Sequence, residues 1–176
     1  MIFRKGTIAD VTPLAKLYDD LIDHLQSTTN YPGWIKGIYP TQEDAAAGIS
    51  DGTLYVAEEN GQLAGTIILN HKPESPYHRI KWNIDAADEQ IFIVHTFAVH
   101  PNFLKAGVGT KLLGFAEKQA VQEGLRAIRL DVFEKNFPAI HLYEKCDFQY
   151  VSTVDMGLGC YGLDLFKLYE KVLPMP

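Results

Sequence analysis

The stretch from Val99 to Leu113 has residue types and spacing that suit the binding of an anion. It reads Val-His-Pro-Asn-Phe-Leu-Lys-Ala-Gly-Val-Gly-Thr-Lys-Leu-Leu, a strand end, a turn, and a Gly-x-Gly that opens a helix. Gly107 and Gly109 allow a ligand to approach closely and allow backbone angles that other residues avoid. A helix N-terminus presents N–H groups and the positive end of the helix dipole. The pattern therefore predicts a diphosphate site.

The same two glycines are also compatible with close packing of a helix on a strand, and this alternative stays open. Two other phosphate-binding motifs fail on spacing. A P-loop needs Gly-Lys-Ser/Thr in sequence, whereas Gly109 is followed by Thr110 and Lys111. A dinucleotide fingerprint needs a third glycine three residues after Gly109, and that position is Leu112.

This stretch resembles the acetyl-CoA loop of the GNAT superfamily of N-acetyltransferases, written Gln/Arg-x-x-Gly-x-Gly/Ala after a strand ending in Val-x-Pro. Val99 to Pro101 and Gly107 to Gly109 match the pattern. Leu104 stands where the family usually has Arg or Gln, and Lys105 where a glycine is frequent. Backbone N–H contacts would tolerate both departures, because they do not depend on the side chain.

A second stretch resembles the same family. Residues 136–148, Asn-Phe-Pro-Ala-Ile-His-Leu-Tyr-Glu-Lys-Cys-Asp-Phe, are similar to the family's Asn-x-x-Ala-x-x-Leu-Tyr-Glu-Lys-x-Gly-Phe. Asp147 replaces a glycine that ends the helix, and aspartate can adopt the left-handed conformation this position requires. The two stretches occur in the family's order with one strand between them.

The resemblance implies acetyl-CoA as the cofactor and a set of residues that bind it. The loop from Lys105 to Thr110 is expected to wrap the diphosphate, the end of the central strand to run beside the pantetheine and acetyl groups, and Asn136 to contact the pantetheine. The implied cofactor-binding residues are Phe97, Ala98, Val99, Leu104, Lys105, Ala106, Gly107, Val108, Gly109, Thr110, Asn136 and Tyr143.

The resemblance also implies direct acetyl transfer to a primary amine in a ternary complex. A lysine-like amine with a pKa of about 10.4 must lose a proton, and a thiolate with a pKa of about 8.5 must gain one. Tyr143 matches the family tyrosine that acts as the general acid; packing against Phe148 is the alternative role.

Many relatives carry a glutamate as base in the central strand, but Ile91–Val94 has none. Glu89 and His95 are the nearest candidates, with a buried structural histidine and a water chain as alternatives.

Two irregular, aromatic segments are candidates for the acceptor site, since in this family such segments often wall the acceptor cleft. Aromatic rings can bind a cationic amine, and rings that hold loops on the core are the competing interpretation. The acceptor stays open among an amino acid, a polyamine, an aminoglycoside-like drug and a protein amine. The aromatic residues concerned are Tyr31, Trp34, Tyr39, Tyr77 and Trp82.

The elements that must position these residues follow from periodicity and turn signals. The expected class is α+β (mixed α/β), a GNAT-like fold with a central, mostly antiparallel sheet splayed between two central strands and flanked by helices. In the first part of the chain the predicted elements are strand 2–5, a helix that ends at Gln26 with Asp10 as its N-cap, a helix that ends at Ile49 with Thr41 as its N-cap, and a hairpin of strands 54–58 and 63–69 around Asn60-Gly61. A loop at 71–90, with some strand near 80–82, leads to strand 91–99 and a helix from Val108 to Gly124. The last predicted elements are strand 127–133, helix 138–145 and an antiparallel pair of strands, 148–155 and 161–168.

Composition limits the remaining choices. The 176 residues, 47% apolar, predict a single domain over 1–176, and the net charge of −6 argues against nucleic acid and favours a cationic amine. No uncharged run approaches the roughly 20 residues that span a bilayer, so we expect a cytoplasmic protein that does not bind membranes. Two cysteines without ligand spacing predict no metal. A homodimer is expected by analogy, through exposed sheet edges.

Two rival functions remain. A CoA-binding or sensory module on the same fold, without turnover, is favoured by the missing strand glutamate and disfavoured by Tyr143 and Asn136. An unrelated nucleotide-binding enzyme would use the Gly107–Gly109 loop, although the failed motif spacings argue against it.

Overall fold

The computed structural model describes residues 1–174, which form an α+β protein with the element order expected from the sequence. The strands are β1 (Ile2–Lys5), β2 (Leu54–Glu59), β3 (Gln62–Asn70), β4 (Ile91–Val99), β5 (Ala127–Phe133), β6 (Gln149–Val154) and β7 (Phe166–Val172), and the helices are α1 (Val11–Ser27), α2 (Gln42–Ser50), α3 (Val108–Gln122) and α4 (Phe137–Lys145).

The chain divides into two compact units. The first comprises residues 1–30, 34–69 and 95–115; the second comprises 31–33, 70–94 and the chain from Ala116 onward. β4 therefore contributes its C-terminal half to the first unit and its N-terminal half to the second. The prediction of a single domain stays a prediction.

In the first unit the strand order is β1-β2-β3-β4. β2 and β3 form the predicted hairpin, and Asn60 (φ 51°) and Gly61 (φ 75°) both have the positive φ that a type I′ turn requires. α1 places an apolar stripe on the core because its buried residues recur every three or four positions. That core contains Leu14, Leu17, Tyr18, Leu21, Leu54, Val56, Ile68 and Ala98.

In the second unit the order is β4-β5-β7-β6. β5 pairs antiparallel with β7 along all seven residues, from Ala127 to Phe133. β4 pairs in parallel with β5 over three residue pairs only, from Ile91–Ala127 to Ile93–Arg129. A short pairing is what the expected splay between the two central strands predicts. The adjacent core contains Tyr77, Ile91, Ile93, Ala127 and Leu168.

Three local predictions need correction. Residues 80–82 form no strand, because the Trp82 indole N–H donates to the Tyr77 carbonyl (3.0 Å) and folds the segment back on itself. The last strand begins at Phe166, because a 3₁₀ turn followed by Gly162 (φ 75°) occupies its predicted start. Asp10 precedes α1, but its carboxylate accepts from the Thr7 N–H (2.7 Å) and caps the preceding 3₁₀ turn instead.

None of the helices within residues 1–174 has both the length and the apolar character needed to cross a membrane. In the same described range, no three His, Cys, Asp or Glu side chains lie close enough to share a metal ion.

Candidate active site

The loop between β4 and α3 leads into the helix through Gly107, a residue that has no side chain with which to cap it. A 3₁₀ turn spans Pro101–Phe103, Lys105 (φ 63°) and Gly107 (φ 77°) take left-handed conformations, and α3 begins at Val108. The Lys111 N–H donates to the Gly107 carbonyl (3.1 Å), which closes the first helical turn. The N–H groups of Val108, Gly109 and Thr110 precede that bond and have no acceptor in the helix. We call these three groups the anion site.

Gly107 leaves the anion site accessible. A Cβ built on Gly107 would have no atom within 4 Å, so a ligand can approach the backbone there. A serine, threonine, asparagine or aspartate at this position would use the N–H groups for its own capping bond. Leu104, Lys105 and Ala106 are exposed beside it. N–H donors without helical acceptors, the helix dipole and an open approach at Gly107 fit the diphosphate of a CoA ester.

β4 carries a backbone irregularity at Thr96, directly before the Phe97–Val99 segment at which the family resemblance implies a bulge or splay. Thr96 has φ 43° in the middle of the strand, and it is 6% exposed. The Thr96 Oγ1 and the Tyr39 hydroxyl share a hydrogen bond of 2.8 Å. The three residues that follow, Phe97, Ala98 and Val99, are the predicted pantetheine-binding backbone, with Ala98 buried and the other two half-buried. No local pattern signals a positive φ at a threonine.

The turn after β4 is tied to α1 through His100. The His100 Nδ1 accepts from the Asn102 N–H (3.1 Å), so the Nε2 carries the proton and donates to Asp20 (3.3 Å). Lys16, and secondarily His100, lower the pKa of the Asp20 carboxyl. Sequence reasoning missed this pair, since the two residues are 80 positions apart.

In the second unit, Asn136 and Tyr143 lie on α4. The Asn136 side-chain oxygen accepts from the Ala139 N–H (3.4 Å) and so caps the helix. Tyr143 is 6% exposed and packs near the rings of Phe148 (5.9 Å) and Tyr169 (6.4 Å). Asp147 has φ 65°, which confirms that an aspartate can end this helix in the left-handed conformation.

The two candidate bases have different settings. His95 is half-buried within β4 in the first unit. Glu89 is exposed in a 3₁₀ turn, Asp88–Gln90, that precedes β4. The identity of the base stays a prediction.

Among the predicted acceptor aromatics, Tyr77 and Trp82 are engaged in packing within the second unit. Tyr77 is 2% exposed and donates from its hydroxyl to Asp131 (2.8 Å). Burial, followed by the Asp131 carboxylate, raises the pKa of Tyr77 well above its usual value. Trp82 stacks on the guanidinium of Arg129 (4.3 Å), which forms a buried ion pair with Glu170 (2.8 Å). These contacts hold segment 71–90 on the core, and acceptor contact by either ring stays a prediction.

The other three acceptor candidates, Tyr31, Trp34 and Tyr39, lie in the α1–α2 loop. Trp34 belongs to the first unit, where its ring meets Tyr39 edge-to-face (5.9 Å) and its carbonyl accepts from the Asn30 side chain (2.8 Å). Tyr31 belongs to the second unit and is half-buried.

A groove of about 680 Å³ also opens in the first unit, between α1, the β2–β3 turn and the His100–Phe103 turn. Its charged side chains already form ion pairs, chiefly Arg4 with Asp10 (2.7 Å) and Lys16 with Asp20. Because these charges satisfy one another, the anion site is the better candidate for a charged ligand.

Comparisons with known proteins identify the family of this chain. The Acetyltransferase (GNAT) family matches residues 18–148. Streptothricin acetyltransferase from Escherichia coli is 34% identical over 66% of this chain and 52% of its own length. S-(2-succino)cysteine N-acetyltransferase from Bacillus subtilis is 28% identical over 63% of each chain. The chain thus spans between half and two thirds of these curated relatives.

Solved structures are similar over almost the whole chain. A GNAT-family acetyltransferase from Streptococcus agalactiae aligns with a TM-score of 0.76 at 22% identity, over 98% of this chain and 95% of its own. Ribosomal-protein-alanine N-acetyltransferase from Brucella melitensis aligns with a TM-score of 0.72 at 17% identity, over 98% of this chain and 100% of its own. At such identities these structures establish the fold. With the family match over most of its length, the chain belongs to the Acetyltransferase (GNAT) family.

Proposed function

We propose that this protein transfers an acetyl group from acetyl-CoA to a primary amine by direct transfer in a ternary complex. The observation that carries the proposal is the open anion site at Gly107, directly after a kinked central strand, in a chain of the GNAT family. In this proposal the N–H groups of the anion site bind the diphosphate, with the exposed backbone from Leu104 to Ala106 beside it. Phe97, Ala98 and Val99 flank the pantetheine.

Asn136 has one side-chain group left for the cofactor. Its oxygen caps α4, and an amide has two further N–H donors on its nitrogen. We assign that nitrogen to a carbonyl of the pantetheine arm.

The reaction needs one proton removed and one supplied. Acetyl-CoA, when bound, supplies an acetyl thioester. The acceptor nitrogen bonds to the acetyl carbon as the carbon–sulfur bond breaks, and the nitrogen loses a proton while the sulfur gains one. Tyr143 supplies the sulfur's proton, and an N–H of the Phe97–Val99 backbone stabilises negative charge on the acetyl oxygen. His95 or Glu89 accepts the proton from the amine, directly or through water.

The acceptor is assigned by class only. A net charge of −6 attracts a cationic amine, and Trp34 in the first unit offers an aromatic ring that could contact it, as does Tyr31 in the second. The two curated relatives are named for small acceptors, streptothricin and S-(2-succino)cysteine, whereas one structural neighbour is named for a ribosomal-protein alanine. A panel of acceptors should therefore contain both small amines and peptides.

We also propose a reducing, cytoplasmic setting and a homodimer. Cys146 and Cys160 are both free thiols, as proteins of reducing compartments usually have.

β1 and β6 end the strand orders of their units and offer edges for pairing. Size-exclusion chromatography with light scattering tests the dimer.

The first experiment is thermal unfolding with acetyl-CoA, CoA, ATP and NAD. A ligand at 100 times its Kd adds about 2.7 kcal/mol to the free energy of unfolding, so a rise in Tm with the CoA species is expected. Release of free thiol on addition of amines then demonstrates turnover. Stabilisation by CoA without thiol release from any acceptor would favour the non-catalytic module. A response to ATP or NAD alone would refute CoA binding.

A further inference from the structure

The conformation of Thr96 costs free energy and must be imposed by its surroundings. A positive φ is a genuine outlier for a β-branched residue, and such a conformation costs roughly 1–3 kcal/mol. Thr96 has φ 43° within β4, where an extended backbone would be free of this strain. Some contact must therefore favour the left-handed form.

Tyr39 provides that contact. Its hydroxyl lies 2.8 Å from the Thr96 Oγ1, and Thr96 is 6% exposed, so the threonine hydroxyl has little access to water. Leaving a buried hydroxyl without a partner costs roughly 1–3 kcal/mol. This is as large as the backbone strain, so the hydrogen bond is strong enough to decide the conformation.

The Tyr39 ring is itself held in place. It meets Trp34 edge-to-face at 5.9 Å, and the Trp34 backbone is fixed by Asn30, which donates to its carbonyl (2.8 Å) and accepts from its N–H (3.2 Å). The hydroxyl is thus presented to β4 by an ordered part of the α1–α2 loop.

We propose that Tyr39 is a positioning residue for the acyl-binding strand, since it holds the kink at Thr96 that sets the direction of the Phe97–Val99 backbone. A backbone irregularity in a strand changes the facing of the residues that follow it. Without the Tyr39 hydroxyl, Thr96 relaxes toward the extended form and the following N–H groups lose their alignment with the cofactor. The proposal rests on the proposed function, because that function assigns cofactor contacts to these residues.

The test is a double-mutant cycle of Tyr39→Phe and Thr96→Gly. Glycine adopts a positive φ without strain, so in the Thr96→Gly background the kink no longer needs Tyr39. Tyr39→Phe alone should weaken CoA binding in calorimetry by about 10-fold, and in the Thr96→Gly background by less than about two-fold. Thr96→Val, which keeps β-branching and loses the hydroxyl, should behave like Tyr39→Phe.

A matched control is available in the same chain. The Tyr150 hydroxyl bonds to the Thr153 Oγ1 at 2.9 Å, and neither residue is among those with positive φ. Tyr150→Phe removes the same kind of bond where no residue has a positive φ, and it should leave the Kd for CoA unchanged.

Three results would overturn the inference. If Tyr39→Phe weakened CoA binding equally in the wild-type and Thr96→Gly backgrounds, Tyr39 would act by packing and not by positioning the strand. A raised KM for the amine with an unchanged Kd for CoA would make Tyr39 an acceptor contact. A wild-type protein that binds no CoA would refute the proposed function itself, and the inference with it, so the two failures are distinguishable.

Discussion

Gly65 in β3 lies against the carbonyl oxygen of Ala98 in β4: a Cβ built on Gly65 would be 2.8 Å from that oxygen. The same Cβ would be 2.9 Å from Leu112 Cδ1 and 3.3 Å from Val108 Cγ1, both on α3. The glycine lets α3, the helix that begins at the anion site, pack closely on β3.

Gly65→Ala should destabilise the protein, because its methyl group meets a backbone oxygen that cannot rotate away. We expect a loss of about 1–3 kcal/mol in the free energy of unfolding measured by urea titration. Gly114→Ala is the matched control, since a Cβ at this α3 position would have no atom within 4 Å. Alanine there should add about 0.5–1 kcal/mol of stability. Equal effects at both positions would contradict the close approach.

Gly107→Ala should weaken CoA binding beyond its effect on stability. Gly107 (φ 77°) and Gly61 (φ 75°) share a left-handed conformation and open surroundings, so alanine at either should cost about 1–2 kcal/mol in stability. Only the methyl group at Gly107 stands beside the anion site, and we expect about a 10-fold weaker Kd for CoA there. If Gly61→Ala in the hairpin turn weakened CoA equally, general destabilisation would explain both results.

Tyr143→Phe should lower kcat while CoA binding persists. Loss of a general acid typically costs about 100-fold or more in rate, and phenylalanine keeps the packing against Phe148. The comparison is kcat at saturating acetyl-CoA together with the Kd for CoA. Tyr161→Phe, at an exposed position, serves as the control. Unchanged kcat would leave Tyr143 a packing residue.

Acidic pH should lower the free energy of unfolding, because it protonates the Asp10 carboxylate. Hydrogen bonds from Arg4 (2.7 and 2.9 Å) lower the pKa of Asp10 from 3.8 to about 2. Because the folded pKa lies below the unfolded one, this stabilisation is complete above the unfolded pKa and is lost as pH falls through the folded pKa. This pKa shift corresponds to roughly 2 kcal/mol of stabilisation of the folded protein at neutral pH.

The variant Asp10→Asn isolates this contribution. Its deficit in unfolding free energy relative to wild type should be about 2 kcal/mol at neutral pH and should shrink as pH falls below the unfolded pKa toward the folded pKa of about 2, because the carboxyl becomes protonated. Urea titrations between pH 2 and pH 7 measure it. A deficit that does not change with pH would show that the ion pair is not responsible.

Local signals in the sequence determined the order of elements and the cofactor loop. Asn60-Gly61 specified the hairpin, Thr41 with Asp44 specified the start of α2, and the run from Ile91 to Val99 specified the central strand. Each depends on residues within a few positions of one another, which is the range over which propensity, capping and periodicity act. The family resemblance extended these signals to a cofactor.

The tertiary structure decided the features that depend on residues distant in sequence. Tyr39 and Thr96 are 57 positions apart, and Asp20 and His100 are 80 apart. Tyr77 donates to Asp131, 54 positions away, from a buried position. A hydrogen bond across such separations leaves no periodic trace, because each partner is compatible with many local conformations. Only the packed chain selects the conformation in which Thr96 takes a positive φ and its hydroxyl meets that of Tyr39.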